Sequence, residues 1–263
     1  MIDYVKLIHN IDIPSNLFHP TWKKSKTDSG CPYRWRTIRG VKLRYYEESC
    51  NLTINGKILM LLHDTQVQNF DDIYGGRRDM FIDELNSFLN SLFQSPILDI
   101  REFKVTRIDY CFNVKTPYVH EYVAILSKAF QMTNSVTRKN FTSEKDLSGS
   151  VYVRTTTDYK DNTVRNDTLN FYDKEDRLNF QKNAGQNVSE SDMVLARDIF
   201  RMEVQCGTAK IKSIEKKFNI SSTFDDLFDF NVAFYTISST YALIFKASEK
   251  IDFYTYSAAK SKV

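Results

Sequence analysis

A tyrosine and a lysine two residues apart, Tyr172 and Lys174, are the first residues in this sequence whose types and spacing suggest chemistry. Residues 168–172 contain Thr, Phe and Tyr, which favour strands, and a strongly charged segment follows them. Because residues two apart in a strand share a face, both side chains would point the same way if the strand extends that far. A phenol beside an ammonium group suits a nucleophile with an electrostatic helper, although an ordinary amphipathic strand edge has the same pattern.

Two further segments carry an arginine and an acid two residues apart, Arg107 with Asp109 and Arg201 with Glu203. The period of a strand puts both charges of each segment on one face. Charges inside apolar strands are costly unless they are paired or bind a metal, so either segment could simply form cross-strand salt bridges. If the two strands are neighbours, Asp109 and Glu203 come together, and two close carboxylates require a proton or a cation between them.

A carboxylate pair with few imidazoles nearby favours Mg²⁺ or Mn²⁺ as the bound ion. The chain has four histidines, and no two of them are two residues apart, so a His-x-His metal motif is absent. His63 follows an apolar run and precedes Asp64, which makes it the candidate for a third ligand. A single histidine at a strand end is equally compatible with a solvated side chain.

The elements that would position these residues are strands separated by helices. Strand patterns cover residues 2–9, 43–47, 52–62, 100–114, 151–155, 168–172 and 196–206. Asn55-Gly56 is a strong hairpin signal, so residues 41–62 are predicted to form an antiparallel meander. Residues 151–155 and 168–172 are predicted to pair as a second hairpin.

Helices are predicted after Asp79, after Thr116-Pro117, over residues 210–218 and from Thr223 onward. The polar residues 131–148 are predicted to form a loop. This order of elements predicts an α+β fold, in which helices pack on a mostly antiparallel central sheet. Residues 1–263 are expected to form one domain whose C-terminal part, about residues 207–263, is mostly helical.

Composition limits the classes of protein that the chain can represent. It has 263 residues, 42% of them hydrophobic, and a net charge of +3, which neither demands nor excludes a polyanionic partner. No stretch of 18 apolar residues and no secretory signal are present, and the four cysteines form no Cys-x-x-Cys pair, so we expect a reducing cytoplasm. Motifs of serine hydrolases, zinc proteases and P-loop enzymes are absent.

Basic residues interleaved with aromatic residues favour contacts with single-stranded DNA, whose phosphates attract cations and whose bases stack on rings. One such patch lies at residues 33–46, where tyrosines and a tryptophan alternate with basic residues, and another lies around Phe141. The predicted DNA contacts are Arg34, Arg36, Arg39, Arg44, Arg107, Arg138, Lys139 and Arg201. Solvated strand and loop faces would show the same composition.

Four blocks of sequence, taken in order, resemble the filamentous-phage gene II replication initiator family, also described as phage/plasmid replication proteins of the II/X type. The blocks are residues 1–3 (Met-Ile-Asp), 105–109 (Val-Thr-Arg-Ile-Asp), 168–174 (Thr-Leu-Asn-Phe-Tyr-Asp-Lys) and 200–203 (Phe-Arg-Met-Glu). Thr-x-x-x-Tyr-x-Lys and the two Arg-x-acid segments are the informative parts. The resemblance covers about residues 1–220.

The resemblance implies a DNA nickase and ligase that starts rolling-circle replication in a bacterial host, together with the host helicase and polymerase. Tyr172 would attack a phosphodiester of single-stranded or extruded origin DNA and remain linked to the 5′ phosphate. Lys174 would stabilise the phosphate charge or assist the tyrosine proton, and a nearby cation would lower the tyrosine pKa. Asp109 and Glu203 would hold the Mg²⁺ or Mn²⁺. The long C-terminal region of the phage protein is expected to be missing.

Two other functions stay open on the sequence alone. A non-catalytic origin-binding protein would keep the basic and aromatic residues and would not need Tyr172 with the two carboxylates. A metal-dependent nuclease that uses water would need the carboxylates and would leave no covalent adduct.

Overall fold

The computed structural model describes residues 1–94, 98–137, 141–145, 149–155 and 168–245. Its strands form one antiparallel sheet in the order β2-β3-β4-β5-β1-β6-β10-β9-β8-β7. The strands are β1 (Ile2–Asn10), β2 (Lys23–Lys26), β3 (Pro32–Ile38), β4 (Val41–Tyr46), β5 (Asn51–Gly56), β6 (Lys104–Lys115), β7 (Phe141–Lys145), β8 (Val151–Thr155), β9 (Thr168–Asp173) and β10 (Ile199–Gly207).

Most of the helices pack on one face of the sheet, which is the α+β arrangement that the sequence predicts. The helices are α1 (Phe70–Tyr74), α2 (Arg78–Ser91), α3 (Val119–Thr137), α4 (Lys174–Asn183), α5 (Glu190–Ala196), α6 (Thr208–Phe218), α7 (Phe224–Leu227) and α8 (Phe230–Phe245), with 3-10 turns at Ser15–Leu17, Ile58–Leu61 and Ile100–Glu102. Of these, α4 and α5 lie at the other face. None of the helices in the described part of the chain combines the length and the hydropathy that crossing a bilayer requires.

The main core lies between the sheet and the helices of the first face, because every second residue of the central strands is apolar. Leu7, Ile54 and Ile108 are fully buried on this side. Phe70 of α1 packs against Phe228 with ring centroids 4.7 Å apart. The opposite face of the sheet therefore receives the polar half of each alternating strand.

The hairpin predicted at Asn55-Gly56 is wrong, because Asn55 continues β5 and pairs with both Lys6 and Lys42. Pairing on both sides outweighs the local turn preference, and within residues 41–62 the chain turns instead at residues 47–50, between β4 and β5. Gly56 is needed for a different reason. A Cβ atom there would lie 2.9 Å from the backbone Cα of Val41, so the two strands approach too closely for any side chain.

The loop predicted for residues 131–148 is also wrong at residues 131–137, which continue α3, and at residues 141–145, which form β7 (Phe141–Lys145). β7 pairs with β8 at the sheet edge, and that partner supplies hydrogen bonds which a local polar pattern does not reveal. Arg138 and Lys139, two of the predicted DNA contacts, lie outside the described residues. The expected helical C-terminal part corresponds to α6–α8; that residues 1–263 form a single catalytic domain stays a prediction.

Candidate active site

The two strands that carry the Arg-x-acid segments are neighbours, as the prediction for a shared site requires. β10 lies between β6 and β9, and Arg201 stands opposite Tyr172 while Glu203 stands opposite Asn170. Partners in an antiparallel pair share a face, so these four side chains lie together on the polar side of the sheet. Asp109 of β6 lies on the same face, opposite Gln205, which is two residues from Glu203 in β10.

The phenol of Tyr172 is buried against an acid. Its hydroxyl donates a hydrogen bond of 2.5 Å to Oε1 of Glu203, and the side chain is 4% exposed. Burial and the charge of Glu203 together raise the pKa of Tyr172 well above its usual value, although Arg201 opposes them. Arg201 lowers this pKa as expected of a nearby cation, but burial and Glu203 outweigh it.

Arg201 lies opposite Tyr172 in the sheet, and its side chain is completely buried. It donates to Oδ1 of Asp3 at 2.9 Å, to Oδ1 of Asn113 at 2.7 Å and to the Val67 carbonyl at 2.6 Å. A guanidinium with these partners has no surface left for a phosphate. The predicted DNA contact at Arg201 is therefore wrong, and the residue instead holds the site together.

Asp3 and Lys57 belong to the same cluster, and sequence reasoning did not select them. Lys57 Nζ lies 3.3 Å from Asp3 Oδ1, and its side chain is 29% exposed. Burial raises the pKa of Asp3, but Lys57, Arg201 and Lys174 together lower it well below its usual range. Asp3 appeared only inside a block of the family resemblance, and no local signal marked Lys57, which is brought here by the close pairing of β5 and β1.

Lys174 reaches the site from a helix and not from the strand. β9 ends at Asp173, which caps α4 by accepting from the backbone N–H of Glu175, and Lys174 is the first helical residue. Its Nζ lies 5.9 Å from the centroid of the Tyr172 ring, and the side chain is buried. Burial, Arg201 and Lys57 lower the pKa of Lys174 well below its usual value, so this amine gives up its proton easily.

Asp109 is held by its own strand neighbour. Arg107 donates to both of its carboxylate oxygens, at 2.9 and 2.6 Å, and the guanidinium lies 4.7 Å from the centroid of the Tyr4 ring. Burial nevertheless raises the pKa of Asp109 to about 7, and the charges of Glu203 and Asp3 add to that effect. A carboxyl group this close to neutrality in a buried acidic cluster is well placed to exchange its proton for a cation.

The donor set on this face therefore fits a divalent ion at Asp109 and Glu203, because two buried carboxylates on adjacent strands repel each other unless a cation lies between them. His63 does not complete the set. Its Nε2 lies 2.7 Å from the hydroxyl of Tyr74, which in turn donates to Glu84. The third ligand predicted at His63 is therefore wrong, because the 3-10 turn after β5 carries it to the helix side.

A second group with metal-ligand chemistry lies at the start of α4. In the described residues, His120, Asp173 and Asp176 are the group of three or more potential ligands whose atoms all lie within 4.8 Å of one another. His120 is 75% exposed, and Asp173 already serves as the helix cap. Since Asp173 and Tyr172 are consecutive in a strand, their side chains leave opposite faces of the sheet. This group is therefore separate from the tyrosine cluster.

A basic and aromatic surface continues from the cluster across the polar face of β1–β5. One row of neighbours across the strands runs in the order Lys42, Asn55, Lys6 and Arg107. In the next row, Arg44 lies opposite Trp35. Every charged side chain on this face of β2–β5 is a cation. We call this surface the basic face; it comprises Tyr4, Lys6, Lys23, Tyr33, Trp35, Lys42, Arg44, Tyr46 and Arg107.

Alternation divides the predicted DNA contacts between two sides of the sheet. Arg44 and Arg107 lie on the basic face, while Arg34 and Arg36 point to the opposite side. Arg34 is buried there, pairs with Glu47 at 2.8 Å and lies over Phe18, so its predicted DNA contact is wrong. Arg39 is exposed in the β3–β4 turn.

A covering layer closes the Tyr172 end of the polar face. Val67 packs with Leu178, Val188 and Ala196 of the α4–α5 region in a small apolar cluster. Asp192 of α5 accepts from the Thr65 hydroxyl at 2.9 Å and from the Gln66 backbone N–H at 3.1 Å. We call residues 65–69 the strap. The Arg201 bond to Val67 places the strap directly over the cluster that contains Tyr172.

Comparison with known proteins gives one family. The family model described as the N-terminal region of the gene II replication-associated protein matches residues 45–226, which is more than half of the chain. No curated protein matches the sequence significantly. A solved structure of a rolling circle replication initiator protein from Geobacillus stearothermophilus is similar over 82% of this chain and 77% of its own, with 10% identity and a TM-score of 0.39.

Proposed function

Because the chain belongs to the gene II replication-associated protein family, we propose that it is a rolling-circle replication initiator that nicks and rejoins origin DNA through Tyr172. The observation that supports this most is the Tyr172–Glu203 hydrogen bond, which places a phenol against an acid that stands on the same face as Asp109. Arg201 adds a cation to the same cluster, and Lys174 adds an amine. A nucleophile, a proton acceptor and carboxylates for a cation are what this reaction requires.

In the proposed reaction, the Tyr172 oxygen attacks the scissile phosphorus and the bond from phosphorus to the 3′ oxygen breaks. The 5′ phosphate stays joined to the tyrosine, and the freed 3′ oxygen takes up a proton and becomes the primer end. Lys174 is the acceptor for the phenol proton, because its lowered pKa leaves the amine able to take one. The phosphotyrosine ester retains the bond energy, so the reverse attack rejoins the strand without a nucleotide cofactor.

Asp109 and Glu203 would hold the Mg²⁺ or Mn²⁺. When bound, the ion polarises the scissile phosphate and neutralises charge that develops on it. A cation on Glu203 also removes a negative charge from beside Tyr172, which is one of the two main causes of its raised pKa. Binding of the ion would therefore make Tyr172 easier to deprotonate.

The pH dependence of metal binding follows from Asp109. Since burial raises the pKa of Asp109 to about 7, its carboxyl is mostly protonated at pH 6 and mostly ionised at pH 8. A metal ion binds the ionised form, so Mn²⁺ affinity should increase about tenfold between these pH values. Calorimetric titration at both values checks this. Asp109→Asn should bind weakly with little pH dependence, and equal wild-type affinity at pH 6 and pH 8 would contradict the assignment.

The basic face is the proposed path of the DNA strand toward Tyr172, since it joins cations and rings to the cluster through Arg107. Lys42→Gln/Arg44→Gln should weaken binding of a single-stranded oligonucleotide by about tenfold and lower the salt slope by about 1.4. The control is Lys24→Gln/Arg36→Gln, which removes two charges from the other side of the same sheet, on the neighbouring strands β2 and β3. Fluorescence anisotropy at several salt concentrations measures both. Equal losses in the two variants would exclude a path along this face.

Attack by Tyr172 requires the strap to move, because the tyrosine is 4% exposed beneath the covering layer. We expect amide hydrogen exchange in residues 65–69 to accelerate when origin oligonucleotide binds, while exchange in the central strands β6 and β10 stays slow. Asp192→Ala, which removes the acceptor for Thr65 and Gln66, should produce the same acceleration without DNA. Protection of the strap by DNA would mean that it is part of the binding surface.

The proposed partners are single-stranded or extruded origin DNA and, by family resemblance, the host helicase and polymerase. A covalent-adduct assay tests the function. The protein is incubated with labelled origin oligonucleotides and Mn²⁺, with or without EDTA, and separated on a denaturing gel. A metal-dependent protein–DNA band is the expected result. Cleavage without an adduct would favour a nuclease that uses water, and binding without cleavage would favour a non-catalytic origin-binding protein.

A further inference from the structure

A buried amide oxygen beside the carboxylates has no partner. Asn170 lies on β9 opposite Glu203 and is 4% exposed. Its Oδ1 is one of the buried side-chain oxygens in the described residues that accept no hydrogen bond. Its Nδ2 donates to Glu203 Oε2 at 3.5 Å, which is the outer limit of a hydrogen bond. Both halves of this amide are therefore poorly satisfied at the same site.

A buried acceptor without a donor is costly, and native structures seldom keep one that no water, ion or ligand satisfies. An amide oxygen can only accept hydrogen bonds, so the missing partner is a cation or a hydrogen-bond donor. A DNA phosphate offers acceptors and cannot fill that role. The oxygen stands on the same face of the sheet as Glu203 and Asp109, where a cation already fits.

The orientation of the amide is explained by its neighbour Glu203. Facing a bare carboxylate, the amide turns its NH₂ group toward Glu203, because two oxygens would repel. With a cation on that carboxylate the preference reverses, and the oxygen becomes the favoured end. Oxygen and nitrogen of an amide occupy nearly the same space, so this exchange needs only a half-turn of the side chain.

We propose that Asn170 is a third protein ligand of the divalent ion, binding through Oδ1 beside Glu203 and Asp109. This inference rests on the proposed function, which places the ion at the two carboxylates. It replaces His63 in the ligand set with a residue of the strand that also carries Tyr172. The metal and the nucleophile would then be held by one strand, two residues apart, on one face.

The test is Mn²⁺ binding by the DNA-free protein, measured by calorimetry for wild type, Asn170→Ala, Asn170→Asp and Glu203→Gln. Removing a ligand should weaken binding by at least about tenfold in Asn170→Ala. Asn170→Asp keeps an oxygen ligand and should bind at least as tightly as wild type. Because it adds a carboxylate beside those of Asp109 and Glu203, its melting temperature should be lowered without metal and should rise with Mn²⁺ by more than that of wild type.

The outcomes separate this inference from the function on which it rests. If wild type shows no saturable Mn²⁺ binding, the metal part of the proposed function fails. If wild type binds, Glu203→Gln does not and Asn170→Ala binds like wild type, only the ligand role of Asn170 fails. If Asn170→Asp binds as weakly as Asn170→Ala, the residue acts as a donor that positions Glu203, since a carboxylate cannot replace that donor. Circular dichroism confirms that each variant is folded.

Discussion

Tyr172→Phe should abolish the covalent protein–DNA adduct and reduce strand cleavage by roughly a thousandfold or more, because the attacking oxygen is removed. The ring that packs in the buried cluster is retained, so the variant should fold and bind origin DNA with nearly unchanged affinity. It loses the hydrogen bond to Glu203, and it also loses a buried phenol whose pKa is raised. A denaturing gel with labelled oligonucleotide measures the adduct and the cleavage together.

Tyr152→Phe is the matched control, since Tyr152 lies opposite Asn170 on β8 and shares the face of the site. It should keep most of the adduct. Tyr110 of β6 points to the helix side and donates to the Leu227 carbonyl at 2.7 Å, so it lies away from the site. An adduct that survives in Tyr172→Phe and disappears in Tyr152→Phe would move the nucleophile to β8.

Arg201→Met should lower the free energy of unfolding by about 3–5 kcal/mol, because it leaves the mostly buried Asp3 carboxylate without one of its two ion-pair partners. Arg201 is 0% exposed and pairs with Asp3 at 2.9 Å, and the Asn113 amide and the Val67 carbonyl would lose a donor as well. Urea denaturation at pH 7 measures the loss. Arg197→Met, at an exposed position just before the same strand, is the control and should change stability by less than about 0.5 kcal/mol.

The pH dependence separates charge from packing in this experiment. The pKa of Asp3 is lowered in the folded protein, so its contribution to stability is fully present above its unfolded value of about 4 and is lost as the pH falls from there toward the lower folded value. The difference between wild type and Arg201→Met should therefore be largest near pH 7 and should narrow as the pH is lowered below about 4. Asp3→Asn/Arg201→Met should recover part of the loss. A deficit that is constant with pH and not recovered would indicate a packing effect alone.

Much of the site was predictable because a strand has a period of two. Alternation predicted that Arg107 shares a face with Asp109 and Arg201 with Glu203, and the family resemblance added Tyr172 to the same site. In the structure the three strands that carry these residues, β6, β10 and β9, are adjacent. The period alone could not separate Arg34 from Arg44, because the register that places Arg44 opposite Trp35 decides which residues of β3 and β4 share a face. Which face is open to DNA depends on where the helices pack, and no residue of β3 carries that information.

The sequence by itself determined the α+β class, the apolar strands, the family and the residue types that chemistry needs. Only the tertiary structure decided that Arg201 is buried, that His63 faces Tyr74, that Lys57 and Asp3 join the cluster, and that Asn170 has an unsatisfied oxygen. The physical reason is that burial and charge pairing arise between strands distant in sequence. A local pattern specifies the face of a side chain, whereas the partner on that face is set by sheet order and register.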